Sequence, residues 1–566
     1  MEISPNDKIA GLLAPLFALR REDDLGIGDV AALRQFIDWS RGLGFKLVQL
    51  LPINETGGDN SPYNAISSRA IDPTTLQLGP GIPEDLSAEA FAEVTASIDL
   101  RALRRGAVQY GIVKPLKRKL LECAFAAFTT RADPQAARQL EAFRDAAQSW
   151  LADYTLFRVL MELNGDRETW DQWGPEQTEI GAARRWLDSL GKEERARLEA
   201  RRNFHAYVQW IAHQQWRELK AYAEKQGVTL MGDIPFGISY YSADVFTHPE
   251  RFALDWSGGA PPEPYFKDDA FTQKWGQNWG IPLYRWDILR SHHFDWWRQR
   301  VQGVREIFHL FRIDHVLGFY RIYAFPWRPG RNREFLPLEW HEMLARTGGR
   351  EPHFAPRNDQ GWENCAANQR EGEEYLRAVL EASGPARVVG EDLGTVPDYV
   401  RPSLRSLGIA GFKIPQWENY PDQRSISGSA YERLSVATFA THDHKPLRAL
   451  WVEAFEKETS SSAQARHDLG KIAEFAGIHF PNESTEYQRD FYPAIFNALF
   501  RSESWIALVM ITDLLGRRER FNVPGTATGS NWSRRLHTTV SKLGHGRKLK
   551  RQLERVRQLL EKAGRT

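Results

Sequence analysis

Four short apolar stretches decide the fold, and each of them leads to a carboxylate. They are TLMGDIP at 229–235, HLFRIDH at 309–315, ARVVGED at 386–392 and VATFATHD at 436–443, which carry Asp233, Asp314, Glu391 and Asp443. Hydrophobic stretches of this length are typical of parallel strands that are buried on both faces. A parallel α/β barrel places its active site at the C-terminal ends of its strands. The pattern therefore predicts an active site built from acids.

The chain contains eight apolar stretches of strand length. They lie at about 11–16, 46–51, 229–235, 308–314, 386–391, 409–414, 435–441 and 505–512. Helical patterns separate most of them, for example DVAALRQFIDWSRGLG at 29–44. Eight strands with intervening helices predict an α/β fold of the (β/α)8 TIM-barrel type. An open doubly wound sheet is the alternative, but no G-x-G-x-x-G motif follows the first strand.

The uneven spacing of these strands predicts a barrel with large insertions. We expect the catalytic barrel to occupy 1–536, with insertions at about 52–228 (largely helical over 85–200), 320–385 and 442–504. Such lengths exceed an ordinary barrel connection, so we expect subdomains on the rim of the catalytic face. The final segment, 537–566, is basic and carries a leucine stripe, which predicts a helix packed on the barrel exterior.

Charge and cysteine content exclude several classes of protein. Lys plus Arg number 74 and Asp plus Glu number 73, so no net field favours nucleic acid or an anionic membrane. The two cysteines, Cys123 and Cys365, cannot form a disulfide framework, and MEISPNDKIA lacks the apolar core of a signal peptide. No apolar stretch reaches the roughly 18 residues of a membrane span. We expect a cytoplasmic protein; its oligomeric state is not predicted.

Aromatic residues are abundant, with 20 Trp, 17 Tyr and 30 Phe. A large core with aromatic anchors explains many of them. Several others lie in loops beside Gly, Pro and Asn, namely Tyr63 in SPYN, Tyr265 in PEPYF, and Trp275 and Trp279 in KWGQNWG. Flat apolar rings beside amide and hydroxyl groups suit a sugar, which presents CH faces and hydroxyls. This setting favours a carbohydrate ligand over a phosphate or a peptide.

Two of the acids suit the cleavage of a glycosidic bond with retention, which needs a carboxylate nucleophile and a carboxylic acid about 5–5.5 Å apart. Asp314 and Glu391 end the fourth and fifth predicted strands, and adjacent strands lie about 4.8 Å apart. Arg312 lies on the same side of its strand as Asp314 and is expected to keep it ionised. The charge of Asp314 is expected to raise the pKa of Glu391, so that Glu391 serves as the proton donor.

Asp443 is expected at the end of the seventh strand, where its charge would stabilise a positively charged, oxocarbenium-like transition state. His442 and His315 are candidate donors to sugar hydroxyls. The HDH sequence at 442–444 also allows metal ligation, because imidazole and carboxylate groups bind zinc. The chain has no HxH motif near its first strand and no HExxH motif, so we expect no metal site.

Several longer motifs resemble one enzyme family. They are SPYN, GDIPFGIS, SADVFTHPERF, GAPPEPYF, GQNWGIPLYRW, FRIDHVLGF, VVGEDLGTVP, ATFATHDH and FNVPGTATGSNW. Together they are similar to the 4-α-glucanotransferases called amylomaltases or disproportionating enzymes, a glycoside hydrolase family related to the α-amylases. The resemblance runs from about residue 11 to residue 536, with the motifs in family order.

The resemblance implies a role for each matching residue. Asp314 looks like the family nucleophile, Glu391 like its general acid/base and Asp443 like its third carboxylate. Arg312 and His442 resemble the residues that contact the sugar in the cleaved subsite, and Asp233 resembles another contact of the family pattern. Residues that match the donor and acceptor subsites are Tyr63, Gln277, Trp279 and Trp417. Asn522 and Pro524 match a loop near the substrate groove.

The resemblance also implies a reaction. An α-1,4-glucan segment, from a maltooligosaccharide, starch or glycogen, would pass through a covalent glucosyl-enzyme to the 4-hydroxyl of an acceptor glucan, with no cofactor. Two alternatives stay open at this point. One is a retaining α-1,4-glucan hydrolase of the α-amylase type, and the other is a non-catalytic glucan-binding protein on the same scaffold.

Overall fold

The computed structural model describes residues 3–263, 269–457, 459–479, 485–524 and 529–566. Tyr265 and parts of the GAPPEPYF and FNVPGTATGSNW motifs lie outside these residues. The described residues contain twelve β-strands: β1 (Ile9–Leu13), β2 (Leu47–Gln49), β3 (Thr229–Pro235), β4 (Phe252–Ala260), β5 (Gln277–Tyr284), β6 (Leu310–Asp314), β7 (Ile322–Phe325), β8 (His353–Ala355), β9 (Arg387–Gly390), β10 (Gly411–Lys413), β11 (Ser435–Ala437) and β12 (Ile506–Met510).

Eight of these strands form the predicted barrel. They pair in parallel in the order β10-β11-β12-β1-β2-β3-β6-β9. The barrel closes between β9 and β10, where Val389 bridges Ala410 and the Gly390 N–H donates to the Ala410 carbonyl over 2.9 Å. Every residue of β3 and β12 is buried, as expected for strands covered on both faces. The (β/α)8 fold and all eight strands predicted from the sequence are confirmed.

One strand boundary differs in a way that affects the site. The seventh predicted strand, 435–441, ends at Ala437, so Asp443 lies in a loop six residues beyond β11 and not at the strand end itself. The hydroxyl of Thr438 turns the chain, because it donates to the Ala440 carbonyl over 2.9 Å. A threonine side chain that bonds the nearby backbone in this way competes with strand pairing.

A second sheet was not predicted. Its four antiparallel strands follow the order β5-β4-β7-β8 and come from segments on either side of β6. Strand β4 carries two glycines where it meets β5, and a side chain at Gly259 would lie 1.8 Å from the Gln277 carbonyl oxygen. Glycine is therefore required for this close approach, and the irregular pairing explains the weak strand pattern of the sequence. Strand β5 carries Gln277 and Trp279.

Helices fill most of the remaining chain. Between β2 and β3 they span Ala88–Thr95, Leu100–Leu103, Tyr110–Arg131, Pro134–Ala146, Leu151–Leu163, Ile180–Ser189 and Lys192–Gln226. Elsewhere they span Val30–Gly42, Ala243–Thr247, Ala270–Lys274, Trp286–Ser291, Asp295–Ile307, Asn332–Phe335, Trp340–Thr347, Trp362–Ser383, Val400–Ser406, Leu447–Trp451, Ser462–Phe475, Tyr492–Arg501, Ile511–Leu514 and Arg547–Lys562. Among the helices of the described residues, none combines the length and the apolar character needed to cross a bilayer.

The helix Arg547–Lys562 buries Leu553, Val556 and Leu560 in the hydrophobic core that also contains the barrel strands. Just beyond it, the fully buried guanidinium of Arg565 donates to backbone carbonyls at the N-terminal ends of β1 and β12. These acceptors are the carbonyls of Ile9, Phe500, Ser502, Ser504 and Trp505, at 2.5–3.2 Å. The end of the chain thus ties the first barrel strand to the last.

Candidate active site

Three neighbouring strands, β3, β6 and β9, bring the acid-bearing residues together at the C-terminal end of the barrel. In the pairing of β3 with β6, Asp233 lies opposite Arg312 and Pro235 lies opposite Asp314. In the pairing of β6 with β9, Ile313 lies opposite Gly390, so Asp314 and Glu391 follow at the same level. Adjacent strands lie about 4.8 Å apart, which puts these two side chains within reach of one glycosidic bond.

Arg312 links two of the carboxylates. Its Nη1 lies 2.7 Å from an oxygen of Asp233 and its Nη2 lies 2.7 Å from Oδ1 of Asp314. The side chain of Asp233 is fully buried, whereas that of Asp314 is 28% exposed and open to a ligand. Burial raises the pKa of Asp233 to about 6 against the opposing charge of Arg312. The ion pair predicted between Arg312 and Asp314 is confirmed.

Glu391 is held beside Asp314 by the backbone. The His315 N–H donates to Oε2 of Glu391 over 2.8 Å, and the Glu391 N–H donates to the Ile313 carbonyl over 2.9 Å. Burial raises the pKa of Glu391 to about 8; Arg312 opposes this shift and the charge of Asp314 adds to it. The predicted direction and the predicted contribution of the Asp314 charge are confirmed, although burial contributes more than that charge.

Asp443 is oriented by residues on both of its sides. His442 Nε2 lies 3.2 Å from Oδ2 of Asp443, and the Asn522 amide donates to Oδ1 over 2.6 Å. Burial would raise the pKa of Asp443, but its interactions with His442 and Asn522 outweigh that effect and lower it. The side chain is 39% exposed, so an ionised carboxylate faces the open end of the barrel.

Tyr63 connects this loop to the Arg312 group. Its hydroxyl donates to Oδ2 of Asp233 over 2.8 Å and lies 3.4 Å from Nδ1 of His442. The Tyr63 and His442 rings stack, with centroids 4.9 Å apart and planes inclined by 12°. Burial and the charge of Asp233 raise the pKa of Tyr63 well above its usual range. The structure therefore joins seven of the predicted site residues in one network: Tyr63, Asp233, Arg312, Asp314, His442, Asp443 and Asn522.

Another group of predicted residues surrounds His315, the residue after Asp314. The Trp279 ring meets the His315 ring edge to face at 4.7 Å, and its Nε1 donates to the Gln277 side chain over 3.2 Å. Burial lowers the pKa of His315 to about 4, so this imidazole is neutral at neutral pH. Trp279 is 38% exposed, which leaves part of its ring open to a ligand.

The last two predicted residues are less connected to the acids. Trp417 lies in the loop after β10 with its ring 5.0 Å from His444. Pro524 lies in a partly exposed turn that follows Asn522 and immediately precedes residues outside the described ranges. Within the described part of the chain, no three His, Cys, Asp or Glu side chains are grouped so as to hold a metal ion.

Two supporting residues were missed by the sequence analysis. Arg520 donates through Nη2 to the Asp443 carbonyl and through Nε to the Asn522 carbonyl, at 2.5 and 3.1 Å. Asp392, next to Glu391, accepts from the Phe412 N–H over 2.6 Å and from Arg401 over 3.0 Å. The sequence offered only a basic run at 517–520 and a second acid in VVGED as signals, and neither indicates these contacts.

Comparisons with known proteins identify the family of this chain. The profile of the family described as 4-alpha-glucanotransferase matches residues 14–540. The 4-alpha-glucanotransferase of Chlamydia caviae is 30% identical over 547 residues, which cover 94% of this chain and 91% of that protein. That of Thermus thermophilus is 29% identical over 93% of this chain and 94% of that protein.

A solved structure shows the same fold. The amylomaltase from Streptococcus agalactiae in complex with acarbose superimposes with a TM-score of 0.73 at 23% identity, covering 99% of this chain and 100% of that one. The profile match spans nearly the whole barrel, including all three candidate acids. The chain therefore belongs to the 4-alpha-glucanotransferase family.

Proposed function

We propose that this enzyme moves segments of α-1,4-glucan by a retaining double displacement, with Asp314 as the nucleophile and Glu391 as the acid/base. One observation carries the proposal: the two carboxyl groups lie at one level of neighbouring strands but have different surroundings. Asp314 is paired with the guanidinium of Arg312, while the pKa of Glu391 is raised to about 8. A retaining mechanism needs this division of roles.

In the first step, a carboxylate oxygen of Asp314 attacks the anomeric carbon of the donor. The glycosidic C–O bond breaks, and the proton of Glu391 moves to the leaving oxygen, which becomes a free 4-hydroxyl. The glycosyl segment is then held as an ester of Asp314. Forming this ester removes the negative charge of Asp314, one of the groups that raise the pKa of Glu391, so the pKa of Glu391 falls and the group stays ionised, in the form that can take a proton.

In the second step, Glu391 takes the proton from the 4-hydroxyl of an acceptor glucan. The acceptor oxygen attacks the anomeric carbon and displaces Asp314, which restores both carboxyl groups. Asp443 stabilises the positive charge that develops on the sugar in both steps, because its lowered pKa keeps it ionised. The chemistry balances without any cofactor.

The surrounding residues are assigned to substrate binding. The proposed contacts are Tyr63, Asp233, Gln277, Trp279, Arg312, His315, Trp417, His442, Asn522 and Pro524. Transfer competes with hydrolysis through positioning, because a bound acceptor presents its hydroxyl at a high effective concentration while it excludes water. The family assignment favours transfer over the hydrolase alternative, and the substrates are α-1,4-glucans such as maltooligosaccharides, starch or glycogen.

Incubation of the purified enzyme with maltotriose tests the proposal. Transfer produces glucose and longer oligosaccharides at a constant number of reducing ends, whereas hydrolysis raises that number. Asp314→Asn should abolish product formation while the variant still binds maltooligosaccharide. The matched control is Asp188→Asn. Asp188 lies in the helix Ile180–Ser189 and forms an exposed ion pair with Arg195, so this variant should react like the wild type. Undiminished activity of Asp314→Asn would refute the assignment of the nucleophile.

The organisation of the chain is also proposed. We assign residues 52–228, 320–385 and 442–504 to subdomains inserted on the catalytic face of a barrel that spans 1–536, and 537–566 to a segment that packs outside it. A cytoplasmic location is supported by Cys123 and Cys365, which are both free thiols in the structure. Limited proteolysis, with the fragments identified by mass spectrometry, tests these boundaries.

A further inference from the structure

His444 and Trp417 form a pair on the barrel rim. His444 lies in the loop after β11, which also carries Asp443, and Trp417 lies in the loop after β10. Trp417 follows β10, which lies beside both β9 and β11 in the closed barrel. His444 follows Asp443 directly, and its ring centroid lies 5.0 Å from that of Trp417 at an inclination of 56°. Trp417 therefore follows the strand beside β9, which leads to Glu391, and His444 follows Asp443 after β11.

The hydrogen bonds of His444 fix the position of its proton. The Thr441 N–H donates to Nδ1 of His444 over 3.0 Å, and the Thr441 hydroxyl lies 2.8 Å from the same nitrogen. A backbone N–H can only donate, so Nδ1 accepts and the neutral ring carries its hydrogen on Nε2. Burial lowers the pKa of His444 to about 4, which keeps the ring neutral at neutral pH.

The Nε2–H group of His444 is left for a ligand. None of the hydrogen bonds made within the described ranges uses this nitrogen. His442, by contrast, has Nδ1 facing the Tyr63 hydroxyl and Nε2 facing Asp443, so both of its nitrogens are engaged. Trp417 is 49% exposed, which leaves a large apolar face beside the donor of His444. An aromatic face next to a single N–H donor fits one sugar ring, with its CH face on the indole and a hydroxyl on the imidazole.

We infer that His444 and Trp417 bind the acceptor sugar and set its affinity, with the Nε2–H of His444 donating to an acceptor hydroxyl and Trp417 stacking on the ring. The inference rests on the proposed function and goes beyond it by naming the acceptor side. Acceptor binding follows from the strand order, because β10 leads to Trp417 and lies beside β9, which leads to Glu391. The oxygen that Glu391 protonates and deprotonates belongs to the leaving chain or to the acceptor. His444 therefore acts as a specificity residue and takes no part in bond cleavage.

Acceptor kinetics test the inference. The rate of transfer from maltohexaose to radiolabelled glucose is measured as a function of glucose concentration, and hydrolysis of maltohexaose is measured without glucose. His444→Asn keeps an acceptor near Nδ1 but loses the distal donor, and it should raise the KM for glucose about 2- to 12-fold, the effect of one neutral hydrogen bond. His444→Gln, whose amide extends toward the Nε2 position, should recover most of that loss. The exposed His545→Asn variant serves as a matched control and should keep wild-type values.

Each outcome is decisive. A KM for glucose that rises in His444→Asn and Trp417→Ala, with a smaller change in maltohexaose hydrolysis, supports acceptor binding. An unchanged KM for glucose overturns the inference. An equal loss in the rates of transfer and hydrolysis also overturns it, because that result would mean that His444 positions Asp443 and does not bind the acceptor. If the wild-type enzyme transfers nothing to glucose or to longer acceptors, the proposed function itself fails, which is a distinguishable result.

Discussion

Raising the pH from 7 to 9 should remove the proton on which the first chemical step depends. Glu391 must be protonated to release the leaving chain, and its pKa is raised to about 8 by burial, with a further contribution from Asp314. About nine in ten enzyme molecules therefore hold this proton at pH 7 and about one in ten at pH 9. We expect kcat/KM to fall with an apparent pKa near 8 and then about tenfold per pH unit, whereas a solvent-exposed glutamate would lose its proton near pH 4.3.

The assay is the initial rate of maltotriose disproportionation from pH 4 to pH 10, with circular dichroism at each pH to show that the protein stays folded. Asp392→Asn provides a second perturbation, because the charge of Asp392 also raises the pKa of Glu391. This variant keeps a carbonyl acceptor for the Phe412 N–H and should move the alkaline limb to lower pH. An alkaline limb below pH 6 in the wild type, with the fold intact, would refute the assignment of Glu391 as a buried proton donor.

Two further predictions concern contacts of the site, and a third concerns Asp513, a buried residue of the helix Ile511–Leu514 whose carboxylate accepts from the Leu447 N–H over 2.7 Å. Arg312→Met leaves the buried carboxylate of Asp233 without its partner and should lower the free energy of unfolding, measured in urea, by about 3–5 kcal/mol. The double variant with Asp233→Asn should recover much of this loss. An unchanged free energy of unfolding in Arg312→Met would contradict the reasoning. Asn522→Ala removes a 2.6 Å hydrogen bond to the charged Asp443, worth about 1.5–3 kcal/mol, and should lower kcat about 10- to 100-fold; a change in KM alone would argue against a role in the transition state. Burial raises the pKa of Asp513 to about 7, above the roughly 3.9 of an unfolded aspartate, so the folded protein keeps a proton that the unfolded chain loses between about pH 4 and 7. Wild-type stability should therefore fall by about 4 kcal/mol across that range relative to Asp513→Asn, and parallel stability curves would contradict this.

The barrel and its acids could be predicted from the sequence because the underlying physics is local. Strands buried on both faces need continuous apolar residues, so β3 and β6 are visible as short hydrophobic stretches. The C-terminal ends of parallel barrel strands all lie at one end of the barrel. This rule was sufficient to predict that Asp233, Asp314 and Glu391 lie close together. The ion pair of Arg312 with Asp314 follows from the two-residue period of a strand.

Other features depend on contacts between distant segments. Strand β4 is rich in glycine and pairs irregularly with β5, so its sequence lacks the alternation that marks a strand. Arg520 supports Asp443 from 77 residues away along the chain, and nothing in its own neighbourhood indicates that partner. The dominance of burial in the pKa of Glu391 depends on how the loops cover it, which no linear pattern reports.

The pairing of β1 with β12 has a consequence for biosynthesis. Ile9 pairs with Ile506, so β1 leaves the ribosome about 500 residues before its neighbour exists. At 5–20 residues per second, one edge of the nascent sheet stays unpaired for roughly 25–100 s. The guanidinium of Arg565, which fastens both strands, arrives later still. We therefore expect the ring of strands to close only after residues 506–510 have been synthesised, and translation products that lack these residues to expose β1 to chaperones and to aggregation.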